Sequence, residues 1–99
     1  MARKFIVNQL HNIVFVKGIR EIKLIEPEEF YHCDSYRCDE IEFVLVAVDE
    51  MNNIIWLGDF YEKLSGYQVL DKITKWFANN CEPEHITITG YDAITERND

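Results

Sequence analysis

Residues 40–80 read EIEFVLVAVDEMNNIIWLGDFYEKLSGYQVLDKITKWFANN, and this stretch decides the fold. Its first nine residues, 40–48, alternate as in a strand but carry apolar side chains on both faces, which indicates a central or covered strand. Turn-forming residues fill 49–53, and a second β-rich run follows at 54–57, so 40–60 is predicted to form a β-hairpin. The two predicted faces of the first strand are Ile41, Phe43, Leu45 and Ala47 on one side and Glu42, Val44, Val46 and Val48 on the other.

The second half of this stretch predicts one amphipathic helix. Ser65 and Gln68 have the spacing of a capping box, which marks a helix start. Asn79 and Asn80 predict where the helix ends, and Pro83 lies beyond that end. Apolar residues follow helical spacing between these limits, as expected for a helix that covers a sheet. The predicted stripe is Val69, Leu70, Ile73, Trp76 and Phe77.

Shorter patterns on either side of this stretch add further strands. Residues 4–7 predict a first strand, and the four consecutive apolar residues at 13–16 predict a well-buried one. A hairpin across 17–19 is the simplest link to the next strand, in which Ile22 and Leu24 alternate with charged residues. We further expect a single helical turn at 26–29, the longest loop at 30–39, and a last strand at 86–89.

These elements predict an α+β fold, because one amphipathic helix needs a sheet on which to bury its apolar face. We expect a mainly antiparallel sheet of five to six strands with the helix packed on one face. The 99 residues correspond to one domain of ordinary size. That domain is predicted to span residues 1–95, followed by a polar tail at 96–99.

Charge is spread unevenly along the chain. Residues 1–24 carry five Lys and Arg against one Glu, whereas residues 25–62 carry eleven Asp and Glu against one Arg. With a formal net charge of −8, the protein repels nucleic acid at long range and favours encounter with basic surfaces, so we do not expect direct nucleic-acid binding. The sequence has neither a secretory apolar region nor a run of about 18 apolar residues, which predicts a cytoplasmic protein that does not enter a membrane.

The acidic segment 25–62 is the candidate functional region, because it combines carboxylates with aromatic residues. Aromatic anchors inside a polar rim are typical of protein–protein interfaces. We therefore predict that the segment docks on a basic surface of a larger protein, including a nucleic-acid site that it would occlude as a phosphate mimic. The alternative is an ordinary solvated surface. The predicted contact residues are Glu28, Glu29, Tyr31, Asp34, Tyr36, Asp39 and Glu40.

A second hypothesis is a structural zinc site. Cys33 and Cys38, with four residues between them, and Cys81 and His85, with three residues between them, supply the thiolate and imidazole ligands that tetrahedral zinc binds. The alternative is that the cysteines are small, semi-buried residues, and the odd number of three argues for reduced thiols. We favour no metal and no cofactor. A third hypothesis is a homodimer formed through an exposed sheet edge or an apolar helix margin.

No motif for catalysis is present in the sequence. The chain has no Gly-rich phosphate-binding loop, and no cysteine is placed with a base that would activate it. Carboxylate pairs on a domain of this size are usually solvated surface. We therefore predict a protein that is not an enzyme.

Residues 54–77, IIWLGDFYEKLSGYQVLDKITKWF, resemble small uncharacterised proteins of Gram-positive bacteria and their prophages. The shared features are a strand that ends in Leu57-Gly58-Asp59-Phe60, a polar loop, and a helix that contains Val69-Leu70-Asp71-Lys72-Ile73. The resemblance covers about a quarter of the chain. It implies an accessory protein of a mobile element, a class that includes small acidic inhibitors of bacterial defence systems, and it implies no catalytic residue.

Overall fold

The computed structural model describes residues 4–31, 40–81, 84–89 and 93–94. The predicted loop beyond residue 31 and the predicted polar tail lie outside these residues. The elements, in chain order, are β1 (Phe5–Val7), β2 (Ile13–Phe15), β3 (Ile19–Ile25), α1 (Pro27–Tyr31), β4 (Phe43–Asp49), β5 (Ile54–Phe60), α2 (Lys63–Ala78), β6 (His85–Thr89) and β7 (Ala93–Ile94).

The fold is α+β, as predicted, but the strands form two sheets. One is antiparallel with the order β3-β4-β5, and the other has the order β2-β1-β6 and continues through a short β6–β7 pairing. Within the second sheet, β1 pairs antiparallel with β2 and parallel with β6. The prediction of one sheet with five to six strands is therefore wrong for the described residues. The error arises from the predicted hairpin across 17–19, which would have paired β2 with β3. In the structure β2 pairs with β1, and β3 pairs with β4.

The hairpin forms one turn earlier in the chain, between β1 and β2. The side-chain oxygen of Asn8 accepts the backbone N–H groups of Leu10 and Asn12 at 2.8 and 3.0 Å, which closes a tight turn. As the outer strand of its sheet, β2 leaves Ile13 55% exposed and Phe15 44% exposed. The prediction of a well-buried strand at 13–16 is therefore wrong.

The predicted hairpin over residues 40–60 is confirmed, with β4 as the central strand between β3 and β5. Leu45 and Ala47 face α2 and belong to the main core, whereas Val44 and Val46 lie in a second apolar cluster on the other face of the sheet. Both faces of β4 are thus buried. Ile41 packs in the second cluster, opposite to its predicted side, because it precedes the first residue of the strand.

The helix α2 starts two residues before the predicted capping box. It begins at Lys63 after the N-cap residue Glu62, whose side chain makes no cap hydrogen bond, and Ser65 lies buried inside the first turns. Gly66 lets these first turns pack closely on β4, since a Cβ on Gly66 would lie 3.2 Å from the ring of Phe43. The apolar stripe is confirmed: Val69, Ile73 and Trp76 are buried, and Leu70 and Phe77 pack against the main core.

The end of α2 forms a Schellman motif. The N–H of Cys81 donates to the carbonyl of Trp76 at 2.8 Å, and the N–H of Asn80 donates to the carbonyl of Phe77 at 3.1 Å. Asn80 and Cys81 both have positive φ, as required for the chain to reverse here. The side chain of Cys81 is buried in the same core as Trp76, which is the apolar contact that accompanies this motif.

The β4–β5 turn depends on the carboxylate of Asp49. It accepts the backbone N–H groups of Met51 and Asn53 at 2.9 and 2.8 Å, and the side-chain amide of Asn53 at 3.0 Å. The backbone and side-chain bonds from Asn53 hold the pKa of Asp49 below its usual value. Asp49 therefore stabilises the fold above the pKa it has in the unfolded chain, and this contribution is lost as the pH falls through its lower folded pKa.

We expect the Asp49→Asn variant to be less stable than the wild type at pH 7, because one charged acceptor is lost from the turn. The difference should shrink as the pH falls below the ordinary aspartate pKa of about 3.9 and through the lower pKa of the folded carboxyl. Urea unfolding of both proteins from pH 7 to pH 3 measures this difference. Stability curves that run parallel over the whole range would contradict the assigned role of Asp49.

Candidate protein-binding surface

Carboxylates from three parts of the chain come together at one end of the β3-β4-β5 sheet. The strand β3 ends there, β4 begins there and β5 ends there, since Ile25 pairs with Val44 and Phe43 pairs with Phe60. The residues that flank these strand ends therefore lie at the same end of the sheet. We call this surface the acidic end, and its described carboxylates are Glu26, Glu28, Glu29, Glu40, Glu42, Asp59 and Glu62.

The first turn of the short helix α1 is stabilised by one of its own acidic residues. Pro27 occupies the first helical position, and the carboxylate of Glu29 accepts the backbone N–H of Glu26 at 3.1 Å. The N–H of Glu29 in turn donates to the carbonyl of Glu26 at 2.9 Å. Glu29 therefore has a structural role as a cap, whereas the neighbouring Glu28 presents an exposed side chain.

A hydrogen-bond network holds α1 against β5. The hydroxyl of Tyr31 donates to both carboxylate oxygens of Asp59 at 2.8 Å, and the indole N–H of Trp56 donates to Oδ1 of Asp59 at 2.9 Å. Tyr31 is only partly exposed. Its first role is thus to position α1, which differs from the exposed anchor that the sequence suggests.

The turn after β1 also reaches the strand that carries Asp59. The side-chain amide of Gln9 accepts the backbone N–H of Asp59 at 2.8 Å and donates to its carbonyl at 3.0 Å. The backbone N–H of Gln9 donates to the carbonyl of Leu57 at 3.0 Å. These three bonds join the two sheets beside the acidic end.

The structure brings four of the predicted contact residues to this end of the sheet, namely Glu28, Glu29, Tyr31 and Glu40. The other three, Asp34, Tyr36 and Asp39, lie outside the described residues.

Sequence reasoning missed two exposed apolar side chains in the first turns of α2. Leu64 is 66% exposed and Tyr67 is 55% exposed, and the ring of Tyr67 contacts Phe43 edge-on at 5.4 Å. Tyr61, in the link between β5 and α2, is exposed as well. One signal was available in the sequence, because both helical residues lie on the side of the helix opposite its apolar stripe, where polar residues are expected.

Among the described residues, the carboxylates of the acidic end form no ion pairs, although Lys63 follows Glu62 in the chain. The ion pairs between described residues lie elsewhere, at Arg20–Glu21 with 3.4 Å and at Lys75–Asp71 with 3.0 Å. The surface therefore combines carboxylates that have no ion-pair partner in the described part of the chain with exposed aromatic and aliphatic groups.

The residues of the zinc hypothesis are found in different surroundings. Cys81 is buried in the main core, whereas His85 is exposed and stacks on the ring of Phe5 at 5.1 Å. Cys33 and Cys38 lie outside the described residues. Among the residues that the structure does describe, no three His, Cys, Asp or Glu side chains are grouped as metal ligands would be. The zinc set remains a hypothesis of the sequence alone.

Neither described helix is long and apolar enough to cross a membrane. Comparisons with protein-family models, with curated proteins and with solved structures found no match. The acidic end is therefore interpreted from its own geometry and charge.

Proposed function

We propose that this chain is a small cytoplasmic protein-binding domain whose acidic end docks on a basic surface of a larger protein. In this proposal it acts by binding, without chemistry of its own, as an accessory or inhibitor protein of the phage type. The observation that carries the proposal is the convergence of the acidic end's carboxylates beside three exposed apolar side chains, those of Tyr61, Leu64 and Tyr67.

The composition of this surface supports docking on a protein. A compact interface concentrates its binding energy in a few buried aromatic or aliphatic anchors, and the surrounding polar groups exclude water. Leu64 and Tyr67 lie three residues apart on one side of α2, so both side chains can enter the same partner surface. Glu42 and Glu62 flank them as part of the rim.

The unpaired carboxylates give the interaction a characteristic salt dependence. Charges that complement a basic partner raise the association rate. Salt reduces this effect, because exposed charges are screened beyond about 10 Å at an ionic strength of 0.1 M. A partner that normally holds nucleic acid would present such a basic surface. We therefore expect capture at low salt and release at high salt.

The proposal predicts that the variant Glu28→Lys/Glu42→Lys loses its partner. Both side chains are exposed, so the fold should be kept while the charge of the acidic end is reversed at two points. The matched control is Glu50→Lys/Glu84→Lys, which makes the same change of net charge at exposed positions outside the acidic end. Each immobilised protein is incubated with lysate of a Gram-positive bacterium, washed with increasing salt, and the retained proteins are identified by mass.

Support for the proposal would be one basic protein that the wild type and the control retain and the acidic-end variant does not. Equal retention by all three proteins would exclude the acidic end as the contact surface. Loss of retention by both variants would indicate that only net charge matters, which would also contradict a localised docking surface. Circular dichroism of each variant checks that the fold is kept.

A further inference from the structure

The outer edge of β3 is open along the described part of the chain. β3 is the terminal strand of its sheet, and no described strand pairs with it on the side away from β4. A groove of about 300 Å³ runs beside this edge, and Ile22, Ile73 and Phe77 contribute apolar groups to its lining. An open strand edge next to an apolar groove is a template for one more strand.

The backbone groups of β3 alternate between facing β4 and facing away from it. The N–H of Glu50 donates to the carbonyl of Gly18 at 3.0 Å, and a one-residue bulge then brings Glu21 opposite Val48. In an antiparallel ladder, these positions direct the N–H and C=O groups of Glu21, and of every second residue after it, toward β4. The N–H and C=O groups of Ile22 therefore point to the open edge.

The charges on either side of Ile22 would match those of a second, antiparallel copy of the same strand. Glu21 and Lys23 flank Ile22 symmetrically, and both have exposed side chains on the sheet face opposite α2. Two antiparallel copies of this strand, centred on Ile22, place Glu21 of each copy opposite Lys23 of the other. Oppositely charged residues that face each other across two strands stabilise the pairing.

We propose that β3 pairs antiparallel with β3 of a second copy of this chain, with Ile22 opposite Ile22 on the two-fold axis. The two Ile22 residues exchange two N–H···O bonds, and the flanking Glu21–Lys23 pairs occupy the non-hydrogen-bonded positions, where facing side chains are closest. The result is a symmetric dimer with one continuous sheet in the order β5-β4-β3-β3-β4-β5.

The charges of the chain fit this arrangement. Among the described residues, Glu21 has only its neighbour Arg20 as an ion-pair partner, at 3.4 Å and exposed to solvent, and Lys23 has no carboxylate at ion-pair distance. Because β3 ends at the acidic end, the antiparallel pairing sends the acidic ends of the two copies in opposite directions. Both remain open to solvent, and the repulsion between two chains of net charge −8 is reduced by their separation.

Charge exchange at positions 21 and 23 tests both the dimer and its register. Sedimentation equilibrium of the wild type over a range of concentrations should show a transition from one chain to twice the mass of one chain. The single variants Glu21→Lys and Lys23→Glu should each weaken the dimer by roughly tenfold or more, because each replaces both attractive pairs with repulsive ones. The matched controls are Glu50→Lys and Lys17→Glu, which alter the same charges at exposed positions outside the strand.

Two rescue experiments make the test specific for this pairing. The double variant Glu21→Lys/Lys23→Glu restores opposite charges across the axis and should dimerise like the wild type. An equimolar mixture of the two single variants should form a heterodimer, since their charges are complementary only to each other. A wild type that stays monomeric at the highest attainable concentration would overturn the proposal, and so would single variants that dimerise as strongly as the controls. The result does not depend on the acidic end, whose residues are unchanged throughout.

Discussion

Replacing Phe60 with alanine is expected to lower the free energy of unfolding by about 3–5 kcal/mol. Phe60 is the largest fully buried side chain among the described residues, and it packs in the main core at the end of β5. Truncation removes its transfer free energy and leaves a cavity that the surrounding structure fills only in part. A domain of this size has a total stability of about 5–15 kcal/mol, so a large share of it depends on this one ring.

The matched control is Phe15→Ala, which removes the same atoms from an exposed position. Phe15 lies on the outer strand of its sheet and contacts Phe5 edge-on at 6.1 Å. Loss of that ring contact should lower stability by about 1 kcal/mol. Urea unfolding followed by tryptophan fluorescence compares the two variants with the wild type. Similar losses for both variants would mean that the core is not centred where Phe60 lies.

Replacing Gly58 with alanine is expected to lower the free energy of unfolding by about 2 kcal/mol. A Cβ on Gly58 would lie 2.8 Å from Cδ of Gln9, closer than van der Waals contact allows. The Gln9 side chain must then move, although its amide is held by two hydrogen bonds to the backbone of Asp59. The cost is therefore the loss of these bonds, together with the joint that they make between the two sheets.

The variant Gln9→Ala separates this mechanism from a general intolerance of side chains at position 58. In the Gln9→Ala background the three atoms nearest to this Cβ are removed, so Gly58→Ala should then cost less than about 0.5 kcal/mol. The double variant should accordingly be about as stable as Gln9→Ala alone. Strictly additive losses would show that the Cβ meets some other obstacle, and the proposed joint between the sheets would be wrong at this position.

The joint at Gln9 connects stability with the candidate binding surface. Asp59 receives its backbone bonds from Gln9 and its side-chain bonds from Tyr31 and Trp56, so both sheets and α1 meet at this residue. If this joint opens, α1 loses its support, and Glu28 is no longer held beside Glu42. Gly58→Ala should thus weaken partner capture more than Phe15→Ala does.

Patterns of neighbouring residues predicted the β4–β5 hairpin, the apolar stripe of α2 and the short helix α1. The turn formers between residues 48 and 54 identified the β4–β5 hairpin, and helical spacing identified the buried stripe of α2. Pro27 followed by acidic residues identified α1. Each of these features depends on side-chain periodicity or turn chemistry within about fifteen residues, which a single sequence displays directly.

The partition into two sheets was decided by tertiary structure. Residues 13–25 display two apolar strands separated by Gly18, which is also what a hairpin would look like. Periodicity tells which side of a strand is apolar but does not tell which strand it pairs with. The Asn8 turn closes β2 onto β1, and β3 pairs instead with β4, whose two faces are covered by α2 and by the second apolar cluster. Pairing follows from the burial available to the whole chain.

The candidate binding surface was likewise determined partly by the sequence and partly by the tertiary structure. The sequence by itself determined that the protein is strongly acidic between residues 25 and 62 and that aromatic residues accompany this charge. Only the tertiary structure decided that the strand ends next to Glu28, Glu42 and Glu62 meet at one end of the sheet, that Leu64 and Tyr67 are exposed in the first turns of α2, and that Glu29 and Tyr31 are engaged in holding α1. The physical reason is that composition sums charges along the chain, whereas a surface is made by the strand ends that antiparallel pairing brings together.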